Sequence, residues 1–306
     1  MSGDATFLVV AIVAIGALLL AVHAVFVAPY DLDVSEIESV IEDLPPAFDG
    51  YRIAIVADLH QWAGARPSHL RRITAIVADG RPDLIALLGD YGVSYVHLRL
   101  ANRMLYEGAL RRVIPAIRSM SAPDGIVAIL GNHDYYADPA VVRRELQDAG
   151  VAVLVNRCAS IVRDGSLLRI CGTDDLDEGV IDPRVAEVDP HNASAPPTIV
   201  LAHHPDTILM LDPGDRMDIV LAGHTHGGQV VLPLYGAPIT LSSVCNRRHA
   251  SGWVPNPRSL LYVSRGVGAQ TPVRFRCRPE IAFLTLRGAP SSGIDVATDV
   301  ARQQPA

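Results

Sequence analysis

Five short apolar runs along this chain each end in aspartate, asparagine or histidine, and this pattern narrows the possible folds more than any other feature. The first run, Arg52–Ala57, leads into Asp58 and His60. The later runs lead into Gly89-Asp90, Gly131-Asn132-His133-Asp134, His203-His204 and Gly223-His224-Thr225-His226. Because the carboxyl ends of parallel strands meet at one edge of an open α/β sheet, we expect these five segments to converge.

Each of these segments has an ordinary explanation when it is taken alone. Asp-x-His is common at surfaces and caps, and Gly-Asp and Gly-Asn-His are common in turns. Their succession at five strand ends is what indicates a shared site. On an extended chain Asp58 and His60 would point to the same side, and so would His224 and His226.

The spacing of apolar residues predicts an α/β fold. Strands alternate with helices predicted over Pro67–Ala78, Leu100–Met120 and Asp138–Ala149, which indicates a mostly parallel first sheet. The second half has few helices between short strands. They include Leu167–Cys171, Thr198–Leu201, Gln229–Leu232 and Ile281–Leu286. This half predicts a second sheet with much antiparallel pairing.

The ordered blocks resemble the calcineurin-like metallophosphoesterases, whose pattern is D-x-H, G-D, G-N-H-D/E, a histidine and then G-H-x-H. The resemblance extends over Arg52 to about Leu286. It implies a four-layer α/β/β/α sandwich of two mixed sheets. The flanking residues Ala222–Gln229 and Arg276–Ile281 are similar to a membrane-anchored bacterial branch that includes UDP-2,3-diacylglucosamine hydrolases of lipid A biosynthesis.

The resemblance also implies two adjacent divalent metal ions. Each ion would have three ligands of its own and one carboxylate would bridge them: Asp58, His60 and His226 for the first ion, Asn132, His203 and His224 for the second, and Asp90 as the bridge. Imidazole, carboxylate and amide ligands together suit Mn²⁺, Fe or Zn²⁺ better than Ca²⁺. We expect Mn²⁺ first, with Zn²⁺ or Fe as alternatives.

Two further residues of the third block are expected to serve catalysis. By resemblance His133 would protonate the leaving oxygen or steady the phosphate. Asp134 would orient His133 or its loop, although a simple turn cap explains it equally well. The acidic segment Gly172–Glu178 is expected to be a solvated loop rather than a part of the cleft. Arg247 and Arg248 would either contact a substrate phosphate or be solvated.

The N-terminal segment Phe7–Ala28 has 22 residues and no charged side chain. As a helix it would be about 33 Å long, enough to cross a hydrocarbon core of about 30 Å. We expect a permanent anchor rather than a signal peptide or a core helix. The predicted organisation is an anchor at 1–29, a linker at 30–50, one domain at 51–287 and a disordered tail at 288–306. This implies a single pass through the bacterial inner membrane, with a cytoplasmic catalytic domain preferred.

Charge and cysteine content limit the partners and the covalent links of the chain. The formal net charge of −7 argues against a broad nucleic-acid-binding face. The four cysteines, Cys158, Cys171, Cys245 and Cys277, form no C-x-x-C motif. Cys158 and Cys171 could face each other across a hairpin, but a domain of this size needs no disulfide, so we expect free buried thiols.

The expected function is hydrolysis of a phosphodiester or pyrophosphate bond at a membrane. The substrate would be a phosphorylated small molecule or lipid, such as UDP-2,3-diacylglucosamine. The alternatives are a broad phosphomonoesterase and a nucleotide phosphodiesterase. A non-catalytic membrane scaffold is disfavoured, because all seven ligand positions and His133 carry suitable side chains.

Overall fold

The computed structural model describes residues 3–61, 65–93, 99–187 and 195–289 of the chain. Side chains are described from residue 6 onward, except for those of residues 99–103. Most of the predicted tail, residues 290–306, lies outside the described residues.

The first of two six-stranded sheets has the strand order β1-β12-β2-β3-β4-β5. Its strands are β1 (Asp33–Ile41), β2 (Arg52–Val56), β3 (Leu84–Leu87), β4 (Ile126–Ala128), β5 (Ala152–Val153) and β12 (Glu280–Gly288). Strands β2 to β5 run parallel, while β12 is antiparallel to β2 and parallel to β1. The interior strand β3 is apolar on both faces and all four of its residues are buried, as expected where both faces of a sheet are covered.

The second sheet has the strand order β10-β11-β9-β8-β7-β6. Its strands are β6 (Arg157–Arg163), β7 (Ser166–Gly172), β8 (Thr198–Ala202), β9 (Ile219–Ala222), β10 (Gly252–Val254) and β11 (Leu260–Val263). The four inner strands are parallel and only the edge strands β6 and β10 are antiparallel to their neighbours. The prediction of much antiparallel pairing therefore holds at the edges alone.

One predicted strand of the second half, Gln229–Leu232, does not form a regular strand. Val230 makes an isolated bridge with Phe275, and Leu232 makes one with Gly236. These residues therefore belong to a loop with isolated bridges and not to either sheet.

Helices cover the outer face of the first sheet. They are α2 (Pro67–Asp79), α3 (Arg99–Arg118), α4 (Asn132–Ala137) and α5 (Pro139–Asp148). Asp138 caps α5, since its side chain accepts hydrogen bonds from the backbone N–H groups of Ala140 and Val141. The pattern of apolar residues did not predict α4, a single short helix that begins at Asn132.

The apolar core has three parts, and these define the layers. One cluster joins the first sheet to its helices and a second fills the space between the sheets. The third lies on the outer face of the second sheet. In the described part of the chain this face is covered by the 3-10 helix Pro205–Leu209 and by irregular segments near Val185 and Leu211, so the expected fourth layer contains little regular helix.

Residues 30–50, predicted to be a linker, contain strand β1 and belong to the sheet. The nine residues of β1 pair with β12 along its whole length. The network continues through side chains, because Ser35 donates to Glu280 and Arg265 donates to Asp33 at 2.8 Å. Strand β1 is at the edge and its outward residues are exposed, so its composition is that of a polar connector.

The predicted free thiols are wrong for two of the four cysteines. Cys158 and Cys171 form a disulfide between β6 and β7. They are directly opposed in this antiparallel pair, so their side chains project from the same face. Cys245 and Cys277 are free and buried, as expected.

The N-terminal segment forms helix α1 (Gly3–Phe26). Thr6–Tyr30 spans 25 residues with a mean hydropathy of 2.8, and 6% of its most apolar stretch is buried. This helix is long and apolar enough to cross a membrane, and it does not contribute to the core as a buried helix would.

Candidate metal centre

The five sequence segments meet at the carboxyl ends of β2, β3, β4, β8 and β9, as the strand pattern predicts. Six of the seven predicted ligands are buried: Asp58, His60, Asp90, Asn132, His203 and His226. His224, the seventh, is partly exposed and borders the opening. Buried carboxylates and imidazoles at one sheet edge require either paired charges or a bound cation.

Imidazole nitrogens and the carboxylate of Asp90 converge at the centre of the site. His60 Nε2 lies 3.0 Å from His226 Nε2 and 3.4 Å from Asp90 Oδ2. His203 Nε2 approaches Asp90 Oδ2 from the other side at 3.2 Å. One carboxylate therefore lies between two groups of ring nitrogens, which is the arrangement that a ligand shared by two cations requires.

Each side of Asp90 has further nitrogen or oxygen atoms that could bind a metal. On the first side, Asp58 Oδ1 is 3.7 Å from His226 Nε2 and 3.9 Å from His60 Nε2. On the second side, His224 Nδ1 is 3.3 Å from His203 Nε2. The backbone N–H of His224 also donates to the Asp58 carboxylate at 3.2 Å, which ties the two sides together.

Main-chain carbonyls fix the orientation of two histidine rings. His60 Nδ1 is 3.2 Å from the carbonyl of Gly92, and His203 Nδ1 is 2.7 Å from the carbonyl of Leu88. In each ring the Nδ1–H donates to the carbonyl, so Nε2 keeps its lone pair for the centre of the site. This hydrogen bond sets the tautomer of most histidines that bind metals.

Left-handed backbone conformations place five of the side chains. The φ angles are positive at Asp58, His60, Asp90, His224 and His226, with values from 39° to 66°. Such angles are uncommon outside glycine and concentrate at functional sites. The expected alternation along an extended chain is therefore not how these side chains meet; sharp left-handed turns bring each pair to the same side.

Burial and the charge of Asp90 act in opposite directions on the pKa values of the histidines at the site. It lowers the pKa of His60 to about 3 and also lowers the pKa values of His224 and His226. For His203 burial acts in the same direction, but the nearby Asp90 carboxylate outweighs it and raises the pKa of His203. Burial therefore favours the neutral, metal-binding form of His60, His224 and His226, whereas Asp90 favours the protonated form of His203.

Asn132 supplies independent support for a cation. Its Oδ1 is buried and has no hydrogen-bond partner within the described chain. A buried amide oxygen without a partner is costly, and a metal ion is one of the few groups that would satisfy it. The adjacent Gly131 has no room for a side chain, because a Cβ there would lie 2.3 Å from Asp90 Oδ1 and 2.7 Å from the His203 ring. The residues present therefore fit a dinuclear metal site.

His133 and Asp134 occupy different positions around this centre. The His133 ring packs edge-on against His60 with 4.8 Å between ring centroids, so it lies beside the centre. The Asp134 carboxylate accepts from the backbone N–H groups of Asp90 and Gly131 at 3.0 and 2.7 Å, and also from the hydroxyl of Tyr106. Asp134 therefore joins two ligand loops and is more than a turn cap.

The acidic segment Gly172–Glu178 is only in part the solvated loop that the sequence predicts, since Asp177 and Glu178 are exposed. Asp174 and Asp175 are buried, and Tyr135 donates a hydrogen bond to Asp174. The carboxylate of Asp177 lies within 4.8 Å of ring nitrogens of His204 and His224. Four acidic residues directly after a buried strand were the available signal.

Arg274 is a second residue that sequence reasoning did not find. It is fully buried and donates to the carbonyls of Arg265, Gly268 and, at 3.4 Å, His226. These contacts support the loop that carries His226. A single arginine in a basic segment gives no sequence signal of burial.

The comparisons with known proteins agree with this geometry. Residues 51–228 match the family described as "Calcineurin-like phosphoesterase". The match begins directly before strand β2 and ends just after His226, so it covers all five segments of the site.

Three curated relatives cover most of the chain. The "Uncharacterized metallophosphoesterase YkuE" of Bacillus subtilis is 30% identical over 87% of this chain and 89% of its own length. The "Phosphodiesterase YaeI" of Escherichia coli is 31% identical over 77% of this chain and 82% of its own. The "UDP-2,3-diacylglucosamine pyrophosphatase LpxG" of Chlamydia trachomatis is 28% identical over 79% of this chain and 86% of its own.

Proposed function

This chain belongs to the calcineurin-like phosphoesterase family, and we propose that it is a membrane-anchored dinuclear-metal enzyme that cleaves a phosphodiester or pyrophosphate bond in a lipid-linked substrate. It is a metal-dependent phosphoester hydrolase by family. The single observation that carries the proposal is the convergence of three imidazole Nε2 atoms on and around the Asp90 carboxylate.

The proposed ligand assignment follows from the two sides of Asp90, which would be the bridge. The geometry supports three ligands on each side, Asp58, His60 and His226 for the first ion and Asn132, His203 and His224 for the second. The mixed nitrogen and oxygen donors favour Mn²⁺, with Zn²⁺ or Fe as alternatives.

In the proposed mechanism the metal ions would stabilise negative charge, and the residues of the chain would position the ions and the reacting groups. Two bound cations would lower the pKa of a water and offset the negative charge that develops on the phosphoryl group. His133 borders the same space and would donate a proton to the leaving oxygen. Asp134 would act through the backbone, holding the loops of Asp90 and His133 at fixed separation. The carbonyls of Gly92 and Leu88 keep the rings of His60 and His203 aimed at the centre.

A lipid-linked substrate is supported by helix α1 and by one relative. Fixing the enzyme to a bilayer raises the local concentration of any substrate in that bilayer. The relative named UDP-2,3-diacylglucosamine pyrophosphatase makes that nucleotide-linked lipid the first compound to test. This substrate is proposed together with a cytoplasmic catalytic domain, the orientation preferred from the sequence.

A second candidate is a phosphodiesterase whose domain lies outside the cytoplasm, and the Cys158–Cys171 disulfide favours it. Disulfides persist in oxidising compartments and are rare in the cytosol. Such an enzyme would act on simpler phosphodiesters or phosphomonoesters, and the relative named as a phosphodiesterase agrees with this activity.

The metal requirement is tested on the full chain purified in detergent. We expect bound divalent metal and hydrolysis of bis(p-nitrophenyl) phosphate, both lost with chelator and restored by Mn²⁺. His224→Ala is expected to bind about half the metal and to lose nearly all turnover. His23→Ala, which changes an exposed histidine in helix α1, serves as the matched control. Full activity of metal-free protein would contradict the proposal.

The substrate is tested by comparing rates on UDP-2,3-diacylglucosamine and on the aryl diester in the same preparation. The lipid-linked hypothesis expects kcat/KM for the former to exceed that for the latter by at least about 10²-fold, because only the larger substrate gains binding energy from its remote parts. Equal or inverted rates would support the second candidate.

A further inference from the structure

A segment with exposed apolar side chains, which we call the apolar rim (Leu232–Leu241), extends from the loop after His226. Leu232, Leu234, Tyr235, Ile239 and Leu241 are all exposed, and Leu234 is fully so. Scattered exposed leucines are normal, but five large apolar residues within ten positions form a patch, and such patches mark contact surfaces.

The turn at the tip of the rim is closed by backbone hydrogen bonds and contains one residue with a strained backbone. The backbone groups of Leu232 and Gly236 exchange two hydrogen bonds of 2.9 Å, which closes a tight turn. Leu234, at the tip, has φ of 63°, a conformation that favours glycine or asparagine. Leucine here neither eases the turn nor packs in a core, so its side chain stabilises nothing within the described part of the chain. A surface outside the chain would explain its presence.

Two separate contacts connect the rim to the candidate metal centre. On one side it packs on Gly228, where a Cβ would lie 2.5 Å from Ala237 Cβ and 2.7 Å from the Ile239 carbonyl. Gly228 is two residues from the proposed ligand His226. On the other side the main chain of Leu241 hydrogen-bonds to the ring of His204, which packs 4.2 Å from the ring of His224.

The rim is also connected to the end of α1. The backbone N–H of Arg274 donates to the carbonyl of Ala24 at 2.9 Å, near the C-terminus of the apolar helix. The next residue, Phe275, accepts from Val231 at 2.9 Å, directly before the rim begins. One short segment therefore contacts both the helix that could cross a membrane and the base of the rim.

The charges around the rim complement an anionic lipid surface. Ile219–Pro279 contains seven arginines and no aspartate or glutamate; three of the seven, Arg265, Arg274 and Arg278, are buried or paired with carboxylates elsewhere in the chain. Arg247 and Arg248 are exposed beside the rim, and the guanidinium of Arg247 lies 4.8 Å from the centroid of the Tyr235 ring. Tyrosine and arginine together are typical of the membrane interface, where apolar groups enter the bilayer and basic groups contact phosphates.

We propose that the apolar rim inserts into the bilayer that α1 crosses, so that the metal centre opens at the level of the lipid headgroups. This inference rests on the membrane-anchored function proposed above and adds a second contact with the bilayer. It explains why the rim carries apolar side chains beside a polar site. It also defines the substrate as one whose phosphate lies at the headgroup level.

The test uses the full chain reconstituted into vesicles of phosphatidylcholine and phosphatidylglycerol. Leu234→Cys is labelled with an environment-sensitive NBD fluorophore, and the matched control is Val162→Cys, a position that is also exposed and lies on the opposite edge strand β6. With lipids brominated on the acyl chain, we expect NBD emission at position 234 to fall at least about twofold and at position 162 to stay unchanged. Reversing the charge at Arg247 and Arg248 to glutamate is expected to weaken the quenching at position 234.

Flotation of the same vesicles separates the possible failures. If α1 does not anchor the chain, the protein does not float with the vesicles and the membrane-anchored function fails as well. If the protein floats and hydrolyses aryl diester but position 234 is quenched no more than position 162, this inference alone is overturned. Self-quenching between labelled chains would assign the rim to a second copy of the chain, and would also overturn it.

Discussion

At the residue scale, the metal centre depends on backbone conformations that most residues avoid. Asp58, His60, Asp90, His224 and His226 all have positive φ, which costs of order 1 kcal/mol or more at each position. The surrounding hydrogen bonds maintain these turns; for example, the backbone N–H groups of His60 and Asp58 donate to the carbonyls of Asp90 and Gly89 at 2.9 and 3.2 Å. Strain at these residues is what a preorganised ligand set requires.

Replacing His133 should separate catalysis from metal binding. We expect His133→Ala to lower kcat by about 10²–10⁴-fold, the usual contribution of a general acid, while metal content stays near two ions per chain. Metal analysis and steady-state kinetics on one preparation measure both. An aryl substrate with a good leaving group should be affected least, since it needs no proton. If metal content falls together with kcat, His133 is a ligand.

Replacing Asp134 should weaken metal binding and leave much of the activity of the metal-loaded enzyme. Asp134→Asn leaves one acceptor oxygen for the amides of Asp90, Tyr91 and Gly131, so the ligand loops lose their fixed separation. We expect metal affinity to fall about 10–100-fold, as for other groups that support ligands, with much activity restored at high Mn²⁺. Titration of apo protein with Mn²⁺ measures the change. Tyr106→Phe, which removes a single donor to Asp134, should have a smaller effect.

At the element scale, strand β1 determines where the domain begins. It pairs with β12, and its Ser35 donates to the buried Glu280, which also accepts from Tyr262 at 2.8 Å. Without β1 the edge of β12 and this carboxylate would be exposed to water. The segment that connects helix α1 to strand β2 is thus also part of the first sheet.

Two soluble fragments test this role of β1. A fragment that starts at Asp31 keeps β1, and a fragment that starts at Pro45 loses it; both lack α1. We expect the shorter fragment to be less stable by at least about 2 kcal/mol, because Ile41 alone is buried to 97% in this strand. Urea unfolding followed by tryptophan fluorescence measures the difference. Equal unfolding midpoints would show that β1 is dispensable.

At the scale of the whole molecule, the disulfide and helix α1 both bear on which compartment holds the two sheets. The Cys158–Cys171 bond joins residues 13 apart on adjacent strands, on the side of the second sheet opposite β10. The bond lies far along the chain from α1, so it does not help to connect α1 to the two sheets. Its formation depends on the compartment that the domain enters.

Removing the disulfide should lower stability and its state in cells should report the compartment. We expect Cys158→Ser with Cys171→Ser to reduce the free energy of unfolding by about 2–4 kcal/mol, and reductant to act only on the unmodified chain. Cys245→Ala, which removes a free thiol, is the control for reductant. Alkylation of thiols in intact cells before lysis then measures the oxidised fraction. A fully reduced pair would support a cytoplasmic domain.

The sequence by itself determined the fold class and predicted which segments meet at the candidate site. The order of five polar strand ends predicts both, because parallel strands deliver their carboxyl ends to one edge whatever the details of the helices. It determined the apolar helix as well, since length and composition suffice to define one. The predicted interiors of α2, α3 and α5 also match within a few residues, as their apolar periodicity is local.

Only the tertiary structure decided the features that depend on partners distant in the chain. Strand β1 becomes part of a sheet through β12, some 240 residues later, and its own composition is that of a linker. The burial of Arg274 and Asp175 and the pairing of Cys158 with Cys171 depend in the same way on what packs against them. Local patterns encode periodicity and chemistry, whereas burial and partnership are properties of the assembled chain.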